Sequence, residues 1–443
     1  MYASACEEGD AICRSPNVEA VDHLRMSGTF TALRVRNYRL LACGSLVSNI
    51  GTWMQRVAQD WLVLQLTGSG RALGITTGLQ FLPTLLFSPM AGVVADRYPK
   101  RRVLAVTQLA LASAAAVLGL LAIAGWAATW HVYLIAFLFG TGSAFDTPVR
   151  LSFINEIVGH DQLANAVGLN SASFNLARMI GPAIAGALIA ALGSGVSATG
   201  WVILANAVSY AAVVVSLVLM RSEDLLPTER LTRGRGQVRD GLRYVRGRPD
   251  IMLIMAIVFC AGTFGLNFQM TTALMATKVY GKGAGEYGLL GSIIAIGSLS
   301  GSLLAARRPI PSRRIIIVAA IAFGASEVVA GLMPSYTSFA LALPLCGMSA
   351  LTLMTTANAM VQMTVATDVR GRVMALYYAV FLGGTPAGAP LLGWVAERFG
   401  ARWTLTGGGG LTVIGTLLSL AVFARRGRRA PSPAGLRSAE TPA

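Results

Sequence analysis

The chain has 443 residues, of which 54% are hydrophobic and only 13% are charged, and its mean hydropathy is +0.61. These values lie outside the range of soluble domains, so the composition excludes a soluble globular protein. The formal net charge of +16 does not require a nucleic-acid partner, because most of the cations fall between long apolar segments and are expected to mark one face of a membrane.

Twelve apolar stretches are each close to the roughly 20 residues that a helix needs to cross about 30 Å of hydrocarbon. In chain order they are 40–66, 72–95, 103–126, 132–154, 164–192, 199–220, 251–277, 287–306, 315–334, 337–362, 373–396 and 403–423. The longest hydrophilic interior stretch separates the first six from the last six. The sequence therefore predicts a tail, a six-helix bundle, a linker, a second six-helix bundle and a basic tail, with the boundaries 1–38, 39–220, 221–250, 251–423 and 424–443.

The distribution of Lys and Arg predicts the orientation of these spans. Of the 36 cations, 29 lie in the two tails or in loops on the same side as the tails, five lie in the opposite loops and two lie inside spans. Cytoplasmic loops of membrane proteins carry the excess of Lys and Arg. We therefore expect a multi-pass protein of the plasma (inner) membrane, embedded in the lipid bilayer with both termini in the cytoplasm.

The two predicted bundles resemble each other at a spacing of about 207 residues. At this spacing Gly140 aligns with Gly347, and Gly181 aligns with Gly388. The match is weak but collinear, as expected of a duplicated six-span unit. Such repeats place a substrate site at their interface, near the middle of the membrane.

A short basic hinge, GVVADRYPKRR, joins the second and third spans and must lie at a membrane face. Gly92 permits close helix approach, and Asp96 can accept hydrogen bonds from helix-end amides. Arg97, Lys100 and Arg101 supply bases that can bridge to acids on neighbouring helices. We interpret the hinge as a specific latch; the alternative is a simple turn that sets topology.

The fifth span reads NSASFNLARMIGPAIAG from residue 170 to residue 186. Gly181, Pro182 and Gly186 predict a kink and a close approach of a neighbouring backbone. The alternative is ordinary packing by small residues.

These two segments resemble motifs of the major facilitator superfamily, namely its loop motif and its antiporter motif. In the first, Pro99 replaces a usual glycine; in the second, Ala177 and Ala185 replace two glycines. Together with LVSNIGTWMQRVAQDWLVLQLTG, AFDTPVR and RGRVMALYY, the pattern is similar to the drug:proton antiporter branch known as transmembrane secretion effectors. The resemblance covers about residues 30–425. It implies an all-α membrane protein with twelve transmembrane helices in two pseudo-symmetric six-helix bundles.

The resemblance also gives expectations for particular residues. Asp146, four residues before Arg150, resembles the superfamily's latch acid and is expected to pair with that arginine or with the hinge bases. The second-half counterpart of the hinge has Ala305 in place of the acid. Any latch that uses an acid is therefore one-sided.

Charged residues within hydrocarbon are costly and indicate function. Arg56 and Asp60 lie one helical turn apart and can neutralise each other, and Arg178 lies near the middle of the fifth span. The three residues could form a proton-coupling cluster around Asp60. A static network that locks the first bundle explains the same residues equally well.

Polar residues of several spans are candidates to line a substrate cavity. They are Asn49, Gln55, Gln80, Asn175, Asn267, Gln269, Asn358 and Gln362. Glu327 is a lone acid in the ninth span, which is peripheral in this fold. We expect it at the outer interface or beside a local partner rather than at a proton site.

The sequence contains no phosphate loop, no metal-ligand pattern and no visible catalytic apparatus, so we expect no cofactor, no metal and no enzymatic activity. The predicted function is proton-coupled export of a small amphipathic molecule by a monomer that alternates between two facing states. One alternative is a dedicated exporter of a native metabolite such as a siderophore or a lysolipid. Another is a transport-inactive sensor or assembly partner.

Overall fold

The computed structural model describes residues 28, 30–226, 237–307, 311–366 and 369–427. These residues are helical almost throughout and contain no β-strand. Most of both predicted tails and the middle of the predicted linker lie outside the described residues.

The first half contains five long helices. They are α1 (Arg36–Thr67), α2 (Gly70–Arg97), α3 (Lys100–Ile123), α4 (Thr129–Ala191) and α5 (Val196–Leu219). The 63 residues of α4 form two spans, because the backbone leaves helical geometry at Gly159, where φ is 70° and ψ is −176°. Glycine adopts this conformation without the steric cost that a side chain would add.

The second half begins with a short helix and continues with six spans. The helices are α6 (Gln237–Arg246), α7 (Pro249–Val279), α8 (Ala284–Ala306), α9 (Arg313–Leu332), α10 (Tyr336–Thr364), α11 (Arg370–Gly383), α12 (Thr385–Phe399) and α13 (Arg402–Gly427). The helix α7 is interrupted at Leu266 and Asn267, and α11 and α12 together form one span.

Nine helices of the described residues are long and apolar enough to cross a membrane, or ten if the bent α2 is included. The helix α4 supplies two of the spans. The helix α1 is also long enough, at 32 residues, but it is more polar because it carries Arg56, Asp60 and several amides. The expected all-α architecture of twelve spans in two six-helix bundles is therefore confirmed.

Small residues let the helices of each half pack closely. In the first half, a Cβ placed on Gly44 of α1 would lie 2.7 Å from the carbonyl oxygen of Ala212 in α5. In the second half, a Cβ on Gly324 of α9 would lie 2.5 Å from the carbonyl oxygen of Gly409 in α13. Backbone contact of this kind replaces the hydrophobic driving force that is absent between helices in lipid.

The two halves meet along α2 and α12 on one side, at the end of the molecule that carries Ser69. We call this the Ser69 end. A Cβ on Gly78 would lie 3.0 Å from the carbonyl oxygen of Pro386. The Ser69 hydroxyl donates to Glu397, which also accepts the backbone amide of Arg71 at 3.2 Å.

The halves also meet along the second span of α4 and α8. A Cβ on Gly186 would lie 2.6 Å from the carbonyl oxygen of Ala284, and one on Gly288 would overlap the carbonyl oxygen of Pro182. The α2–α12 contact and the α4–α8 contact therefore both depend on glycine. Together these two seams close the Ser69 end of the molecule.

Candidate substrate cavity and charged groups

A cavity of about 380 Å³ lies between the two halves, at the level where α7 is interrupted. Its walls come from α1, α2, α4, α7, α8, α10, α11 and α12. The lining residues are Trp53, Arg56, Val57, Thr77, Phe81, Arg178, Pro182, Gly262, Leu266, Asn267, Phe268, Gln269, Thr272, Tyr287, Gly291, Ile294, Ala295, Ser298, Leu351, Met354, Phe381, Leu382 and Thr385. Its volume is in the range of small-molecule sites.

Two arginines from the first half face this cavity. The guanidinium carbon of Arg56 lies 4.9 Å from the ring centre of Trp53 and 5.8 Å from that of Phe81, which is cation–π geometry. The Nε atoms of Arg56 and Arg178 are buried and have no hydrogen-bond partner among the described residues. The arginines therefore retain unused donors next to the cavity.

Asp60 lies behind the cavity wall and is only 5% exposed. Its Oδ2 accepts a hydrogen bond of 2.9 Å from the hydroxyl of Tyr287, a residue of α8 in the other half. The same hydroxyl lies 3.3 Å from the carbonyl oxygen of Gln269, and the Tyr287 ring is stacked with Trp61 at 6.5 Å. Asp60 of the first half is thus hydrogen-bonded to the second half through Tyr287.

Arg56 and Asp60, which were expected to pair, form no direct salt bridge within the described residues. The carboxylate is bound by Tyr287, whereas the guanidinium stacks on Trp53. One turn of helix places the two side chains on the same face, but it does not fix the rotamers that would bring them into contact. Sequence reasoning missed Tyr287, which lies 227 positions away along the chain.

The structure separates the eight predicted polar liners into two groups. Asn267 and Gln269, at the interruption of α7, line the cavity. The others do not line it in this conformation: they are Asn49, Gln55, Gln80, Asn175, Asn358 and Gln362.

Most of these remaining side chains have local partners. Gln55 accepts a hydrogen bond of 2.5 Å from Asn206 of α5, within the first half. Asn358 donates to Tyr378 at 2.7 Å and accepts from Gln362 at 2.5 Å.

The hinge after α2 is held by contacts within the first half. Gly92, Asp96 and Arg97 belong to the last turns of α2. Lys100 forms an ion pair of 2.5 Å with Glu156 in α4, an acid that the sequence analysis did not single out. The side chain of Arg101 donates to the Ser222 hydroxyl at 2.6 Å and to the Val218 carbonyl oxygen at 3.2 Å.

Asp146 lies at the centre of a second polar group in the same half. It accepts hydrogen bonds from Arg150 Nε at 3.0 Å and from Gln108 Nε2 at 2.7 Å. Arg150 also donates to the Ser45 hydroxyl at 2.6 Å and so connects α4 to α1. These bonds join helices of one bundle in this conformation.

The predicted antiporter segment faces two neighbours. A Cβ on Gly181 would lie 2.6 Å from Trp53 Cβ, so this glycine packs α4 against α1. Pro182 and Gly186 contact α8 instead. Pro182 has no backbone N–H and leaves the Arg178 carbonyl without its helical donor, but the backbone dihedrals remain helical at both Gly181 and Pro182.

Glu327 does not lie at the outer interface, which was one of the two positions expected for it. This residue is 1% exposed, which excludes the outer interface, and its Oε2 has no hydrogen-bond partner among the described residues. It is enclosed within the second half: a Cβ on Gly265 would lie 2.9 Å from Oε2, and one on Gly409 would lie 2.9 Å from Glu327 Cβ. The approach of three glycine-containing helices, α7, α9 and α13, buries the carboxyl group.

Twelve spans in two bundles around a central cavity define a secondary transporter of the major facilitator fold. A solved structure of a bacterial homologue of the human lysosomal transporter Spinster, in an inward-facing and unoccupied conformation, is similar, with a TM-score of 0.70 and 16% identity over 90% of this chain and 99% of that one.

The sequence model of the transmembrane secretion effector family matches residues 27–434, and the chain belongs to that family. The multidrug efflux pump Tap of Mycolicibacterium fortuitum is 27% identical over 379 residues, which cover 82% of this chain and 90% of that protein. The staphyloferrin A transporter of Staphylococcus aureus is 34% identical over 142 residues, which cover 32% and 36%. The protein is therefore a membrane transporter of the export type and not an enzyme.

Proposed function

We propose that this protein exports small amphipathic organic molecules from the cell in exchange for protons. The halves 39–220 and 251–423 rock about the central cavity, which faces the cytoplasm and the outside in turn. The protein works as a monomer in the plasma membrane, with both termini in the cytoplasm.

The distribution of cations supports this orientation. In membrane proteins the side that carries most of the Lys and Arg is the cytoplasmic side. Residues 68–71, at the Ser69 end, lie on the opposite side. Since the two halves meet at the Ser69 end, the present conformation is the one that is closed to the outside.

The observation that carries the coupling mechanism is the hydrogen bond between Asp60 and Tyr287. It joins the halves at a seam that must open when the cavity turns outward. The hydrogen bond is made only while the halves are in contact, so Asp60 has different surroundings in the two facing states, and a titratable group whose surroundings change can change its affinity for a proton. Separation of the halves removes Tyr287 and lets Asp60 take a proton from outside, which links proton entry to substrate exit.

Asp60→Asn tests this proposal in proteoliposomes that carry an imposed proton gradient. The variant cannot exchange a proton and should lose uphill accumulation of substrate while it still binds the substrate. Asp161→Asn makes the same chemical change at an exposed position and should behave as wild type. Uphill transport by a correctly folded Asp60→Asn protein would refute coupling through this residue.

A second candidate is dedicated export of a native metabolite such as a siderophore or a lysolipid. The similarity to the staphyloferrin A transporter favours it, although that match covers only about a third of the chain. A transport-inactive sensor is the third candidate, and the same proteoliposomes test it, since a sensor would show no substrate flux in either direction.

A further inference from the structure

We infer that the substrate carries an anionic headgroup, a carboxylate or a phosphate, on an apolar body that is inserted into the cavity between the two halves. The inference rests on the proposed function in taking this cavity as the substrate site. The charged residues that line the cavity are Arg56 and Arg178, and no carboxylate of the described residues lines it. Asp60, the nearest acid along α1, is occupied by Tyr287 behind the wall.

Neither arginine forms a salt bridge with a described residue. The Nε atoms of both are also buried without partners among the described residues. A buried guanidinium without an anion is costly, and this cost is relieved when a ligand brings an anion to it. A carboxylate or a phosphate can accept two parallel N–H bonds from such a group.

The two arginines belong to helix faces that both adjoin Trp53. Arg56 stacks on the Trp53 ring at 4.9 Å. Phe174, one turn before Arg178, meets that ring at 5.7 Å, and Gly181, three residues after Arg178, packs against Trp53 Cβ. This places Arg178 on the face of α4 that covers Trp53, so both arginines contribute to the same part of the cavity wall.

The rest of the wall fits an apolar body. The side opposite the arginines comes from the second half and presents Phe268, Leu351, Met354 and Phe381. Aromatic and thioether side chains adapt to flat and irregular apolar ligands. A cationic drug would place its charge among these groups or beside two like charges, and neither position supplies an anion.

Matched probes separate headgroup charge from apolar shape. 1-Naphthylacetate and 1-naphthyl phosphate are anions, 2-(1-naphthyl)ethylamine is a cation at neutral pH, and 2-(1-naphthyl)ethanol is neutral. Binding to purified protein is measured by calorimetry in nanodiscs of zwitterionic lipid, with empty nanodiscs as the blank. We expect at least one of the anions to bind about tenfold or more tighter than both the alcohol and the amine, as expected for loss of a hydrogen bond to a charged group.

Variants then locate the preference. Arg56→Gln and Arg178→Gln should each reduce the preference for the anion about tenfold, while Arg39→Gln, an exposed position outside the cavity, should leave it unchanged. Equal or tighter binding of the amine by the wild-type protein would overturn the inference without the use of any variant. An anion preference that persists in both cavity variants would also overturn it.

The outcome is independent of proton coupling, because these measurements are made without a gradient. If the amine binds better and is exported against its gradient, the inference about the headgroup fails and the proposed antiport stands. If an anion binds at the two arginines but a proton gradient does not drive it, the headgroup inference stands and the proposed coupling fails.

Discussion

Each half of the described chain has one buried carboxyl group on a residue within a membrane span, and the two groups have different surroundings. Asp60 in α1 lies at the seam between the halves and accepts a hydrogen bond from Tyr287 of the opposite half. Glu327 in α9 is enclosed by α7 and α13 of its own half and has no hydrogen-bond partner for Oε2 among the described residues. Burial is nearly the same, at 5% and 1% exposure, so burial alone does not distinguish their roles.

The difference shows which acid can respond to a movement of the halves. Rocking of one bundle against the other breaks contacts that cross the seam and preserves contacts within each bundle. In the proposed movement Asp60 would lose its partner Tyr287, whereas the packing around Glu327 would be kept. A coupling residue needs two different environments, and only Asp60 of these two is placed to have them.

The largest expected effect tests how tightly Glu327 is enclosed. In Gly265→Ala the new Cβ would overlap the buried ring of Phe323 and lie 2.9 Å from Glu327 Oε2. Overpacking of this kind costs about 1 to 3 kcal/mol, so the melting temperature of the purified protein should fall and less folded protein should be recovered.

The control for this prediction is Gly410→Ala, because no atom lies within 4 Å of the added Cβ at that position. The helical propensity of alanine should leave the stability of that variant equal or slightly higher. Equal melting temperatures for Gly265→Ala and the wild type would mean that the Glu327 site has room, and the contrast between the two acids would be weaker.

The next effect tests the cross-seam hydrogen bond. Tyr287→Phe keeps the ring that stacks on Trp61 and removes the hydroxyl that donates to Asp60 and lies 3.3 Å from the Gln269 carbonyl oxygen. Loss of a hydrogen bond to a charged group should reduce proton-driven uphill export about tenfold. Tyr280→Phe removes a hydroxyl that bonds the Met333 carbonyl oxygen within the second half, and it should have little effect on export. Equal export rates for the two variants would show that the hydrogen bond from Tyr287 to Asp60 is not needed for proton coupling.

Much of this fold follows from local properties of the sequence. The length of an apolar run and the cations at its ends are both readable along the chain, which is why the stretch 103–126 corresponds to a helix at Lys100–Ile123. The separation of the stretches 132–154 and 164–192 corresponds to the break at Gly159 within α4. Spans with many polar residues, such as α1, were found because charged groups interrupt an apolar run without ending it.

The partners of the charged residues could not be read in the same way. Cost in hydrocarbon marked Arg56, Asp60 and Arg178 as unusual, but the contacts of Asp60 depend on a residue 227 positions away in the other bundle. No periodicity or motif connects Tyr287 with Asp60. Likewise, the position of α9 in the fold suggested an exposed or paired Glu327, whereas the glycines of α7 and α13 enclose it.

The internal repeat contains a signal that relates the two halves at this site. At the spacing of about 207 residues, Asp60 corresponds to Asn267, which lies at the interruption of α7 and lines the cavity. One repeat thus places a titratable acid where the other places an amide. The pattern agrees with proton coupling through the first half alone. Because Asn267 is uncharged, the charged residues that line the cavity are the two arginines.

The smallest expected effect concerns Glu327 itself. Glu327→Gln keeps the size of the side chain and replaces a carboxyl group that has no salt-bridge partner among the described residues. An ionised carboxylate without compensation is costly to bury, so an amide should be tolerated at this position. Uphill export should remain within about twofold of wild type, and the melting temperature should remain within a few degrees of it. Proteoliposome export at an imposed proton gradient and thermal unfolding measure the two quantities, with Asp60→Asn assayed alongside. If Glu327→Gln loses uphill export while Asp60→Asn keeps it, the coupling acid lies in the second half, and the enclosed site must open during transport.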